Sequence, residues 1–296
     1  MKFARFRGLV VVLSVVLSVT PALAAVKVEL LPADPAPGEV FRVVVSGAPT
    51  GDALWVEFGD REFPLWEVSG GGWEGMAAVD RDRGPGPSTL GLGYSRNGER
   101  MLLVKTAVTI AAREYPEQQL RVSEGMVNLS PEDQERAARE NRSIRKVLTR
   151  RTPKRLWEDP FAMPLAGPVT SAFGVRRVYN GTPKSYHSGL DIAAPRGTTV
   201  DSAAAGIVAL VGEFFYTGNT VFVDHGLGLF TAYFHLDEVS VVRGQELAMG
   251  EQLGQVGSTG RSTGPHLHWG VYLCGRKADP LSLMRVYGAV GGGETP

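Results

Sequence analysis

Residues 263–270 read TGPHLHWG. In an extended strand successive side chains point to opposite faces. His266 and His268 therefore share one face, and Leu267 and Trp269 share the other. A strand that is polar on one side and apolar on the other suits an antiparallel sheet with one face against a core, and Gly264-Pro265 marks the turn before it. Residues two apart on a strand stand about 6 to 7 Å apart at their Cα atoms. At that spacing one imidazole can bind a metal while the other reaches a water on it. Around this stretch lie further short β-type runs: TTVDSAAAGIVALVG (198–212), NTVFVDHG (219–226), FTAYFHL (230–236) and HLHWGVYL (266–273). They are too closely spaced for crossover helices, which predicts an antiparallel β domain.

All five histidines of the chain, His187, His225, His235, His266 and His268, fall in this region. Such crowding in an otherwise histidine-free chain points to a metal or catalytic site. The segment HSGLDIAAP (187–195) adds a carboxylate, Asp191. On one straight strand His187 and Asp191 would share a face but sit about 13 Å apart, too far to hold one ion at roughly 2 Å each. The backbone must bend between them, which Ser188-Gly189 permits, and Pro195 prevents a helix from running far past Asp191. A His-x-x-x-Asp pair alone carries little information. Joined to His-x-His it supplies two imidazoles and a carboxylate, three ligands suited to Zn²⁺ with a fourth position open for water.

The segments FGVRRVYNGTPKSYHSGLDIAAP (173–195), GNTVFVDHGLGLFTAYFHL (218–236), GSTGRSTGPHLHWG (257–270) and ADPL (278–281) together resemble the lysostaphin-like (LytM, M23) zinc metallopeptidases. The likeness covers about residues 162 to 284. It implies one Zn²⁺ per chain held by His187, Asp191 and His268, with His235 and His266 as the two catalytic histidines that do not bind the metal. The implied activity is hydrolysis of the peptide cross-links of bacterial peptidoglycan through a zinc-bound water. One histidine would act as general base and the other would steady the oxyanion, since no HExxH glutamate exists here. The alternative is a non-catalytic cell-wall scaffold or amidase activator with a peptidase-like domain. His225, in DHGLG, reads as structural, and Cys274 as a thiol in a turn beyond the strand. The glycine-rich segments 181–189 and 254–264 are expected to wall a cleft for an extended peptide, whether stem or cross-bridge.

From Val26 to about Ile110 short β runs (VKVELL, VFRVVV, LWVEF, MLLVKTAVTI) alternate with turn clusters (PADPAPG, SGGG, RDRGPGPS). This pattern predicts an immunoglobulin-like β-sandwich over 25–115. In NLSPEDQERAARENRSIRKVLTRR (128–151), Ser130 as N-cap and Pro131 at the first helical position predict a helix over about 131–149. It belongs to a basic linker, 116–155, read as a solvated helix or as a contact for an anionic wall polymer. The fold class expected is mainly β: an amino-terminal sandwich, a helical linker, a carboxy-terminal antiparallel sheet over 156–288, and a flexible tail over 289–296.

The first residues carry Lys2, Arg5 and Arg7, an apolar run from Gly8 to Val19, and Ala22-Leu23-Ala24. This is the pattern of a secretory signal peptide over 1–24, the apolar run being short of the roughly 20 residues of a membrane span. No membrane span is expected after its removal, and the protein is expected to act outside the cytoplasm, in the periplasm or secreted. Cys274 is the single cysteine, so no internal disulfide can form. With 31 basic and 31 acidic side chains, nothing suggests a nucleic-acid partner.

Overall fold

The computed structural model of the chain describes residues 26–49, 53–121 and 129–288. The expected signal peptide and the expected tail lie outside these residues. The amino-terminal strands are β1 (Lys27–Leu31), β2 (Val40–Ser46), β3 (Ala53–Phe58), β4 (Arg61–Val68), β5 (Gly72–Ala78), β6 (Gly86–Arg96) and β7 (Glu99–Ile110). They form one antiparallel path in the order β1-β2-β5-β4-β3-β6-β7. Period-two alternation decides which side of each strand is inside: in β2, Phe41, Val43 and Val45 are fully buried. Strand β4 changes partners halfway. Its residues Arg61–Pro64 pair with β3 and Leu65–Val68 pair with β5. Pro64, which has no N–H to offer a neighbouring strand, stands at the changeover.

Beyond β7 the chain is less of a linker than its composition suggests. β8 (Glu117–Leu120) pairs in parallel with β10 (Arg176–Tyr179), which pairs with β11 (Thr182–Tyr186). Helix α1 (Pro131–Leu148) begins as expected: the Ser130 side chain accepts the Asp133 N–H at 3.1 Å, with Pro131 at the first position. It is not a solvated helix, however. Ala137, Val147 and Leu148 are buried, and Val147 and Leu148 join Phe222, Phe230, Phe234 and Tyr272 in a cluster with Ile144 packed against it. The Glu140 carboxylate accepts the Phe215 N–H at 2.7 Å. Ala137, Ile144 and Leu148 recur at helical spacing, an apolar stripe that the run of arginines obscures in the sequence.

The carboxy-terminal sheet is antiparallel, as expected, and has ten strands. Its central path is β17 (Glu246–Leu247), β14 (Gly206–Phe214), β15 (Gly218–Gly226), β16 (Leu229–Val239), β19 (His266–Leu273), β12 (Leu190–Ala193) and β9 (Val169–Ser171). β13 (Thr199–Asp201), β18 (Gln252–Val256) and β20 (Arg276–Ala278) pair at its margins, and α2 (Pro280–Tyr287) follows. Cys274 (φ +52°) and Gly275 (φ +78°) make the two-residue turn between β19 and β20, a left-handed pair matched to sheet twist.

The two sheets share one continuous apolar cluster. Trp66 of β4 meets Trp157 edge-on at 5.7 Å, Trp157 meets Phe161 at 5.8 Å, and Phe161 meets His225 at 5.3 Å. Polar contacts close the same seam. The buried Arg276 side chain donates to the Ala78 carbonyl at 2.6 Å and pairs with Asp60. Arg113 donates to Asp279 at 2.8 Å. Among the described residues no helix is long and apolar enough to cross a membrane.

If α1 is held by its apolar stripe, Leu148→Ala should destabilise the protein by about 2 to 4 kcal/mol. The midpoint of urea denaturation followed by circular dichroism measures this. An unchanged midpoint would mean that the helix is only loosely docked.

Candidate metal centre

The pairing of β12 with β19 builds the centre. Asp191 lies directly opposite His268, and Ala193 opposite His266, so the carboxylate and both imidazoles project from the same face. The other face, with Leu267 and Trp269 fully buried, fixes the strand in the core. His187 arrives from the bend between β11 and β12, with Ser188-Gly189 as the connection. Gly189 is needed there for space: a Cβ would stand 2.4 Å from the Trp269 carbonyl oxygen and 2.6 Å from His268 Nε2.

Three atoms converge. His187 Nε2 lies 2.9 Å from Asp191 Oδ1, His268 Nδ1 lies 2.8 Å from the same oxygen, and the two nitrogens are 2.9 Å apart. All three side chains are buried. His187 Nδ1 is 2.8 Å from the Ala172 carbonyl oxygen. A carbonyl can only accept, so this nitrogen holds the proton of the neutral ring. His187 Nε2 therefore presents a lone pair to a carboxylate oxygen and to another ring nitrogen. That arrangement is repulsive unless a proton or a cation stands between them. These donors, two nitrogens and one oxygen, suit Zn²⁺. The other oxygen, Asp191 Oδ2, accepts from Arg177 Nη2 at 3.1 Å, which orients the carboxylate and leaves Oδ1 for the centre.

His268 is clamped on its other side by Phe234, stacked ring on ring at 5.1 Å and 2°. Phe234 faces His268 across the pairing of β16 with β19, so strict alternation would send the next residue, His235, to the opposite face. A register shift in β16 intervenes between Tyr233 and Leu236, and His235 takes a left-handed backbone, φ +62°. This extra residue re-aims the imidazole, bringing its ring to 4.9 Å from His266. His235 Nδ1 donates to the Thr259 carbonyl at 2.8 Å, and His266 Nδ1 donates to the Gly264 carbonyl at 2.8 Å. Both rings thus turn Nε2 away from those carbonyls, and His266 Nε2 stands 3.7 Å from Asp191 Oδ1. Burial pushes His235 down to about 4 and His268 down to about 3.

His225 stays apart from the centre. It is fully buried, with Nδ1 on the Ala205 carbonyl at 2.8 Å and Nε2 beside Thr231 Oγ1 at 2.7 Å, and burial lowers it to about 4. The Cys274 thiol is buried near the Leu227 carbonyl, and burial raises it to about 11, which suits a structural thiol. Arg177 escaped the sequence reading because nothing in FGVRRVYNG separates it from Arg176; only the pairing of β10 selects it. Cavities open on both sides of the centre, of about 470 and 410 Å³. The 185–188 segment lines one of them and Ser262, Thr263, Gly264 and Pro265 line the other, as the glycine-rich segments suggested.

Two predictions follow from this packing. A Cβ on Gly257 would stand 2.3 Å from the Asp237 nitrogen and 2.7 Å from the His235 carbonyl oxygen. Gly257→Ala should therefore cost about 1 to 3 kcal/mol and shift the His235 ring resonances in NMR spectra; unshifted resonances would show that the bulge does not depend on this close approach. Secondly, His225, His235 and His268 are held neutral in the fold, below their ordinary value of 6.5. Between pH 6.5 and about 4 the unfolded chain binds more protons than the folded one. Stability is then complete above pH 6.5 and falls as pH drops through this window, on the order of 3 kcal/mol for His225 alone. Urea denaturation of chelator-treated protein at pH 7 and pH 4.5 measures the slope, and equal midpoints would contradict buried neutral imidazoles.

Residues 185–280 match the family model described as Peptidase family M23, a segment that contains all five histidines. Over 118 residues the chain is 37% identical to the peptidoglycan DD-endopeptidase ShyA of Vibrio cholerae, covering 40% of this chain and 27% of that protein. Over 115 residues it is 40% identical to the DD-carboxypeptidase/endopeptidase Mpg of Neisseria meningitidis, covering 39% of this chain and 26% of that one. The matched segment thus spans about a quarter of the length of these curated relatives. The crystal structure of a candidate M23 peptidase from Pseudomonas aeruginosa aligns over 86% of this chain and 96% of its own, with a TM-score of 0.67 and 29% identity. At residues 185–280 the chain thus carries a domain of peptidase family M23.

Proposed function

We propose that the protein is an exported zinc metalloendopeptidase that hydrolyses peptide cross-links of bacterial peptidoglycan. The observation that carries this is the convergence of His187 Nε2, Asp191 Oδ1 and His268 Nδ1, with two further imidazoles beside them. His187, Asp191 and His268 would hold the ion. Zinc bound there would supply a Lewis acid toward a water and toward the oxygen of a peptide carbonyl.

The remaining chemistry belongs to the chain. His235 and His266 each have Nδ1–H committed to a backbone carbonyl, so each turns Nε2 toward the centre. With His235 lowered to about 4 by burial, its ring is unprotonated at neutral pH and can take a proton, then return it to the leaving amine. The second imidazole would steady the developing oxyanion. Arg177 holds the Asp191 carboxylate in place throughout. The cavities on both sides of the centre support an extended peptide as the substrate better than a compact ligand.

The substrate class rests on two supports: relatives named for DD-endopeptidase activity, and the signal-peptide pattern at the start of the chain, which would place the protein where peptidoglycan lies. The amino-terminal sheet fits an immunoglobulin-like unit over 25–115, since β1-β2-β5-β4 and β3-β6-β7 follow the constant-type grouping of four and three strands. A linker over 116–155 would join it to a peptidase domain over 156–288. The scaffold alternative is disfavoured because every residue the chemistry needs is present and converged.

Incubation of the purified chain with sacculi, followed by mass spectrometry of released muropeptides, tests the proposal. Cleavage should cease with a chelator and return with Zn²⁺. Asp191→Ala and His268→Ala should lose the metal measured by elemental analysis. His266→Ala and His235→Ala should keep one zinc per chain yet lower kcat by about 100-fold or more. No cleavage by zinc-loaded, folded protein that still binds sacculi would favour the scaffold alternative.

A further inference from the structure

The larger cavity beside the centre has cations on its walls and no aspartate or glutamate among its lining residues. Arg145 projects from the last turn of α1, Arg261 from the segment after β18, and Lys277 from β20. Among the described residues, none of the three has a carboxylate within 4.0 Å. This is unusual in a chain whose charges balance at 31 against 31, and whose other seam and site arginines are engaged: Arg177 with Asp191, Arg113 with Asp279, Arg276 with Asp60. Two of the three pack against aromatic rings. The Arg261 guanidinium lies 4.5 Å from the Tyr216 ring and 5.5 Å from Tyr179, and the Lys277 ammonium lies 5.6 Å from Tyr186. Contacts with ring faces hold a cation while leaving N–H donors free for an anion. Lys277 is lowered by desolvation and then by the charge of Arg145, a repulsion that an intervening anion would relieve.

We propose that this cavity is a carboxylate-binding subsite which makes the enzyme prefer cross-linked peptides with free carboxylates over the same peptides carrying carboxamides. The proposal rests on the peptidase activity proposed above and names its substrate class. Lys277 pairs with Tyr272, four residues along β19 from His268, roughly 13 Å in an extended strand. The bound carboxylate would then lie three to four peptide residues from the scissile bond. Arg145 belongs to a helix outside the residues matched to the family, 185–280, so this selectivity would be a property of the added segment and not of the peptidase domain alone.

The test uses two synthetic cross-linked peptides, identical except that one has free carboxylates and the other carboxamides. Wild-type protein should cleave the carboxylate form with a kcat/KM at least tenfold higher. In Arg145→Met and Lys277→Met the ratio should fall several-fold, and in the double variant it should come within about twofold of unity. A wild-type ratio near one, or a ratio retained in the folded double variant, overturns the subsite. If neither peptide is cut, the proposed hydrolysis fails, and fluorescence anisotropy of the labelled peptides decides the subsite separately. Tighter binding of the carboxylate form, lost in the double variant and weakened by salt, supports it; equal binding of the two overturns it.

Discussion

The Asp191 carboxylate is buried between two imidazoles, and a charge removed from water is tolerated only where opposite charge or directed donors compensate it. Here one oxygen receives the Arg177 guanidinium, and the other faces His187 and His268. Because His187 Nδ1 is committed to the Ala172 carbonyl, it is Nε2 that the ring turns toward the centre, as a metal ligand must. A cation satisfies the carboxylate and both nitrogens at once. The surroundings serve this arrangement: the register of β12 on β19 sets the carboxylate opposite His268, Phe234 stacks on that ring, and Gly189 leaves room for it.

Placing a fourth imidazole around the same point conflicts with sheet geometry. A strand presents every second residue to a face, and Phe234 already occupies the position opposite His268. The chain resolves the conflict with one extra residue: His235 adopts a left-handed backbone, which costs free energy for a side chain with a Cβ. That cost is met by tight packing around the bulge. Gly257 admits the His235 and Asp237 backbone at distances no other residue allows, and Gly218 similarly admits Thr259 and Gly260. Local strain beside a reactive centre, held by close packing elsewhere, is a common feature of catalytic sites.

The segments between the two sheets are part of the site's architecture. β8 adds an edge to the β10–β11 hairpin that supplies Arg177 and leads into His187. α1 lies on the sheet through Ile144, Val147 and Leu148 while Arg145 reaches the cavity. Since Trp66, Trp157, Phe161 and His225 form a continuous edge-to-face series through the seam, a displacement of the amino-terminal sheet would be felt inside the carboxy-terminal one.

Composition and spacing alone determined that the chain is mainly β, that the carboxy-terminal sheet is antiparallel, and that His187, Asp191, His266 and His268 belong together. They could do so because strand periodicity and the chemistry of metal donors are local properties. The capped start of α1 was legible for the same reason, as was the turn position of Cys274. The role of Arg177, the docking of a helix that reads as solvated, and the re-aiming of His235 were not. Each depends on which strand lies beside which, and on a register shift that no local pattern encodes. Sequence thus named the residues of the centre, and only the tertiary structure decided which atoms they present and how they are oriented, because orientation comes from contacts between residues far apart in the chain.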